Sequence, residues 1–153
     1  MDDALQDRYA PETTCFGCGP ANPVGLRIKS RIEEEEGICR FRAELHHESF
    51  PGAVSGGIVG TLLDCHANWT AAHHLMVRAG LEHPPSTVTA ELQVRFLKPT
   101  PSDRELVVRA RVVDASDRRA TVEARVEADG VATATARAVF VAVGEGHPAF
   151  RRW

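Results

Sequence analysis

The segment from Gly56 to Ala79 constrains this chain more than any other. Its 24 residues would form a helix of ~36 Å at ~1.5 Å per residue, with Gly80 as the cap that ends it. Apolar side chains (Ile58, Val59, Leu62, Leu63, Trp69, Leu75, Met76) fall on most of its circumference, which is the pattern of a helix buried on nearly every side. A chain of 153 residues provides one core rather than two. A sheet wrapped round the helix has to do the burying.

The rest of the chain has the periodicity of that sheet. Residues 26–32 and 37–45 alternate, with Ile38, Phe41, Ala43 and Leu45 available for a core face, and Glu33 to Gly37 reads as a solvated hairpin connection. Beyond the helix, Val88 to Phe96, Leu106 to Val112 and Val122 to Val126 alternate apolar with polar residues. A last strand, 131–143, follows the hairpin dipeptide Asp129-Gly130. Its row of Ala132, Ala134, Ala136 and Ala138 leaves room for something bulky. The order β-β-α-β-β-β-β predicts an α+β fold in which one curved antiparallel sheet surrounds one central helix. The expected organisation is a flexible N-terminal arm (1–14), a single domain (15–143) and a C-terminal tail leaving the fold (144–153).

Composition narrows the function classes. Apolar residues at 43% and charged residues at 25% are those of a globular chain and exclude a disordered or collagenous one. A net charge of −3 lacks the basic footprint of a nucleic-acid binder. Neither a secretory h-region nor ~18 consecutive apolar residues occur, so the expectation is a cytoplasmic protein with no membrane association. Of the four cysteines, Cys15 and Cys18 have the spacing of half a zinc site, but no second pair follows. Cys39 and Cys65 sit in a predicted strand and helix and would have to converge in space. Reduced thiols, no metal and no cofactor are expected.

One face of the helix departs from the apolar rule. Gly57, Gly60 or Thr61, Asp64, Asn68 and Ala71 form a stripe of small or polar residues at 3–4 residue spacing. Such a stripe can face solvent or admit a neighbouring helix, but a carboxylate within a buried helix costs several kcal/mol unless it is paired, which makes Asp64 the first functional candidate. Gly56 and Gly57 open the same helix, where N–H groups lack intrahelical partners and can receive a carbonyl oxygen gaining negative charge. A carboxylate base with an oxyanion donor points to hydrolysis of an activated acyl group.

These residues resemble a known family. Phe50-Pro-Gly-Ala-Val-Ser-Gly-Gly57 followed by Leu62-Leu63-Asp64 is similar to the central-helix motif of hotdog-fold acyl-CoA thioesterases of the PaaI-like type. Cys15-Phe-Gly-Cys18-Gly with Asn22-Pro-Val-Gly-Leu26 resembles the N-terminal signature of one branch, and Val94-Arg-Phe-Leu-Lys-Pro99 the strand leading out of the active site. The resemblance implies a hotdog fold, Asp64 as general base or nucleophile, the Gly57 N–H as polariser of the thioester carbonyl, and Thr89 as a hydroxyl that orients water. Ser55 stands where the family commonly has His, and Ser49 where a polar amide often assists the carbonyl. Dimers with paired central helices, possible also as dimers of dimers, are implied as well.

Other residues are weighed on their own positions. His66, two residues beyond Asp64, points about 200° away on a helix and reads as a packed residue, with ligand contact as the alternative. His47 lies in the loop entering the site. Residues 87–153 carry 11 basic and 9 acidic side chains, so Arg95 and Lys98 beside the expected site are candidates for the phosphates of coenzyme A, whereas Arg109 and Arg111 read as a solvated face. Gly56 and Asn68 complete the set of substrate-binding candidates. The expected activity is acyl-CoA hydrolysis on a small-molecule substrate. An acyl-thioester hydratase or dehydratase and a non-catalytic acyl-CoA-binding module are the alternatives.

Overall fold

The structure, a computed structural model, describes residues 3–153. Its elements are α1 (Leu5–Tyr9), β1 (Ser30–Glu33), β2 (Glu36–Phe41), a 3-10 turn (Leu45–His47), β3 (Glu48–Phe50), β4 (Ala53–Val54), α2 (Gly56–Ala79), β5 (Thr87–Phe96), β6 (Leu106–Ala115), β7 (Arg119–Ala128) and β8 (Val131–Ala142). Six strands form one sheet in the order β1-β2-β6-β7-β8-β5, every neighbouring pair antiparallel, while β3 and β4 make a separate two-stranded ribbon. The sheet packs around α2, and the architecture is the expected hotdog arrangement.

Local chemistry explains the boundaries. Ser55 caps α2, its side chain accepting from the Gly57 N–H, and Gly80 ends the helix in the left-handed region (φ 66°) with its own N–H on the last-turn carbonyls. Two hairpins use two-residue turns with both residues at positive φ, Glu34-Glu35 (48° and 71°) and Asp129-Gly130 (52° and 77°), the backbone twist that suits flanking strands. Leu62, Leu63 and Trp69 of α2 are buried against Val108, Val122 and Phe140 of the sheet. Ala134, Ala136 and Ala138 face the same core, so the bulky group they accommodate is the helix itself. On the outer face, Arg109 bridges Glu127 and Glu36, Arg125 pairs with Glu127, and Arg137 pairs with Glu123, the solvated ladder expected for this side.

Three expectations need correction. Leu45, expected on the core face, is exposed, because Phe41 pairs with Leu106, the first residue of β6, and beyond it the chain has no strand to continue against. The arm expected over residues 1–14 is folded from Ala4 onward; its first two positions lie outside the described residues. Leu5 and Gln6 of α1 are buried, and Gln6 uses its whole amide on Ser30, donating to Oγ (2.9 Å) and accepting from the backbone N–H (2.8 Å). The C-terminal residues also return to the domain. Trp153 stacks on Trp69 with ring centroids 4.4 Å apart and donates to the Pro85 carbonyl (3.1 Å), while Arg152 donates to the Thr87 carbonyl (3.1 Å).

β5 pairs on one side only, with β8. Its ten residues are mostly exposed, and Leu92, Phe96 and Leu97 add uncovered apolar surface along and just beyond this open edge.

Candidate active site

The residues of the polar stripe divide into two cross-links between α2 and β5. Thr89 donates its hydroxyl to Asp64 Oδ1 at 2.7 Å, and Thr87 donates to Asn68 Oδ1 at 2.5 Å. Residues four apart on a helix rise ~6 Å, nearly the span of two residues on a strand, so α2 and the antiparallel β5 stay in step over both bonds. A β-bulge follows at once, between Thr89 and Glu91, and shifts the pairing of the rest of the strand.

Only one of the two pairs is open to solvent. Asn68 is buried and also bonds the Thr87 carbonyl (3.5 Å), so it fastens helix to strand rather than facing a ligand. Asp64 is half-buried, and burial pushes its carboxyl above the ordinary range, against the opposing pull of the Thr89 hydrogen bond. That environment favours a carboxylate able to take a proton.

The helix N-terminus lies elsewhere. Gly56 and Gly57 are exposed, the ring of Phe96 stands 3.5 Å from where a Gly56 Cβ would sit, and the Gly57 N–H donates to Ser55 Oγ at 3.3 Å. The nominated oxyanion donor is therefore engaged by its own cap. Seven residues separate Gly57 from Asp64, ~10 Å along the axis.

The remaining candidates scatter. His47 accepts from the Glu44 N–H at its Nδ1 (3.0 Å) and packs beside Phe41 and His46, and its partial burial lowers its pKa. Ser49 is exposed on β3. His66 is completely buried, holds Ser30 Oγ at 2.8 Å, and burial lowers its pKa to about 4; it closes a Gln6–Ser30–His66 chain and does not join Asp64. Arg95 lies in a groove on the outer face of the sheet with Glu123, Arg125 and Arg137, whereas Asp64 is on the inner side. Lys98 is exposed just past β5.

One association was not expected. Cys65 meets Cys15 and Cys18, the three sulfurs lying within 4.8 Å of one another.

Residues 51–135, more than half of the chain, match the family model described as the thioesterase superfamily. The chain belongs to the thioesterase superfamily. A thioesterase superfamily protein from Shewanella loihica PV-4 is 30% identical over 76% of this chain and 91% of its own, with a TM-score of 0.65. A phenylacetic acid degradation-related protein from Ralstonia eutropha JMP134 is 26% identical over 76% and 85%, with a TM-score of 0.63. An uncharacterized protein from Pyrococcus horikoshii, 19% identical over 88% and 96% with a TM-score of 0.66, shares the fold. No curated protein matches the chain. Among the described residues no helix is long and apolar enough to cross a membrane.

Proposed function

We propose that the chain is a cytoplasmic acyl-CoA thioester hydrolase that works without a cofactor in its chemistry. The reading is carried by Asp64, a half-buried carboxylate in a thioesterase-superfamily fold, oriented by the Thr89 hydroxyl at 2.7 Å. Asp64 takes a proton from water as the water attacks the thioester carbon. The carbonyl oxygen, now an anion, rests on the Gly57 N–H at the positive end of α2. As the tetrahedral intermediate collapses the carbon–sulfur bond breaks, and the departing coenzyme A sulfur takes the proton from Asp64. Ser55 joins this arrangement: when the oxyanion takes over the Gly57 N–H, the freed hydroxyl can turn and donate to the same oxygen.

The ~10 Å between Gly57 and Asp64 exceeds what a single thioester spans between base and oxyanion donor, each of which must come within ~3 Å of its atom. A site completed by a second copy resolves this. The open edge of β5 beside Thr89 supports a C2 homodimer, alone or doubled to a tetramer, each site taking Gly57 from one protomer and Asp64 from the other.

A second reading, a module that binds acyl-CoA without cleaving it, is favoured by the Ser55 hydrogen bond that occupies the Gly57 N–H. Release of free thiol from a panel of acyl-CoAs separates the two. Hydrolysis that falls ~10²–10⁴-fold in Asp64→Asn supports the enzyme. Tight binding without thiol release supports the module, and turnover of Asp64→Asn within about threefold of wild type rejects Asp64 as the base.

A further inference from the structure

The segment between α1 and β1, residues 10–29, contains no helix or strand, and twenty irregular residues in a compact domain call for something that holds them. Cys15-Phe-Gly-Cys18-Gly lies in this segment. The turn is closed by the Gly19 N–H on the Cys15 carbonyl (2.9 Å). It sits tightly against α2: a Cβ on Gly17 would come 2.3 Å from Cys65 Sγ, and one on Gly19 would come 2.4 Å from the Cys15 nitrogen. Both glycines are thus required by close approach, and the approach at Gly17 is to the third cysteine.

The sulfurs face one another. Cys15 Sγ and Cys65 Sγ are 4.0 Å apart, and all three lie within 4.8 Å. Bonds of ~2.3 Å to a tetrahedral zinc space their sulfurs ~3.8 Å apart, so a small contraction would seat the ion. We infer that Cys15, Cys18 and Cys65 bind one zinc ion, which pins the irregular N-terminal segment to the central helix beside Asp64.

The surroundings suit thiolates. The Trp69 indole N–H donates to Cys18 Sγ at 3.3 Å, a hydrogen bond that stabilises negative charge on that sulfur. Among the described residues no carboxylate or imidazole joins the three. The fourth position is left to water from a cavity of about 560 Å³ lined by Tyr9, Thr13, Cys15, Cys18, Arg152 and Trp153. Zinc displaces the three thiol protons, which pass to solvent. Cys39 provides the contrast: it is a buried core thiol that stands outside the cluster of three sulfurs, its Sγ making only a long contact to the Arg40 carbonyl at 3.9 Å. The expectation of no metal rested on a single Cys-x-x-Cys pair, and the fold supplies the missing ligand from α2.

The test uses the full chain, kept reduced and stripped of metal. Titration with cobalt(II) alone should give thiolate-to-cobalt charge-transfer absorption and the strong visible bands of a tetrahedral ion, saturating at about one equivalent. Zinc should then displace the cobalt. Cys15→Ser, Cys18→Ser and Cys65→Ser should each weaken binding at least about tenfold, while Cys39→Ser binds as wild type. Absence of the charge-transfer band in folded, reduced protein overturns the inference, as does unchanged affinity in Cys65→Ser. Should a serine variant fail to fold, the wild-type band intensity decides, since it scales with the number of bound thiolates: three support the site and two overturn it.

Discussion

Thr89 donates to Asp64 from β5, an edge strand of the main sheet whose outer side has no strand partner among the described residues and whose pairing with β8 shifts at the next residue. One turn along, Thr87 and Asn68 repeat the same contact in the buried interior. The inner bond anchors the helix to the strand, and the outer one holds a half-buried carboxylate within reach of solvent. A hydrogen bond to a charged group contributes about 1.5–3 kcal/mol.

Thr89→Val should therefore lower kcat by roughly tenfold to hundredfold with little change in KM, and Thr89→Ser should restore most of it. Steady-state kinetics on the best acyl-CoA check this. A Val variant as fast as wild type would remove Thr89 from the positioning of Asp64.

Asn68→Ala should act on stability instead. Thr87 Oγ1 loses its acceptor in a buried site, an unmet hydrogen bond that costs about 1–3 kcal/mol. The urea midpoint should fall accordingly while turnover per folded molecule stays within about twofold. A selective loss of kcat in Asn68→Ala would return this residue to the substrate site.

The composite site has a direct complementation test. Gly57→Pro deletes the N–H in the first turn, where proline is tolerated, and Asp64→Asn deletes the base. When the two inactive proteins are unfolded and refolded together, random pairing makes about half the dimers mixed, each with one intact site, so about a quarter of wild-type activity should return. Mixed dimers seen by mass spectrometry without recovered activity would place each site within one protomer.

Legibility in the sequence followed the range of the interaction. The bounds of α2 are readable because Ser55 and Gly80 act locally, and β5 to β8 because each runs for ten residues or more, whereas the three residues of β3 and the two of β4 are too few to show a period. The three cysteines are not readable as a group, since 46 positions separate Cys18 from Cys65 in the numbering and only the fold joins them; Gly17, too tight for any side chain, is a trace of that contact visible only afterwards. α1 is too short for its five residues to show a period. Asn68 and Asp64 share one helical stripe, and what separates their roles is the depth of β5 at Thr87 and Thr89, which periodicity does not report. Arg95 is a neighbour of the site along the chain, but the bulge between Thr89 and Glu91 reverses the alternation of β5 and turns it to the opposite face.

The C-terminal residues give the last prediction. The chain has two tryptophans, and their rings stack at 4.4 Å, Trp69 inside the core and Trp153 covering it from the tail. Two indoles this close couple their transitions, so the near-ultraviolet circular dichroism of the native protein should carry a paired signal that neither residue produces alone. Trp153→Ala should abolish it. The same substitution removes the ring pair and the hydrogen bond to the Pro85 carbonyl, together about 1–2 kcal/mol, which in a chain of this length lowers Tm by roughly 2–8 °C. An unchanged spectrum and a Tm within about one degree of wild type would mean that the tail leaves the domain in solution.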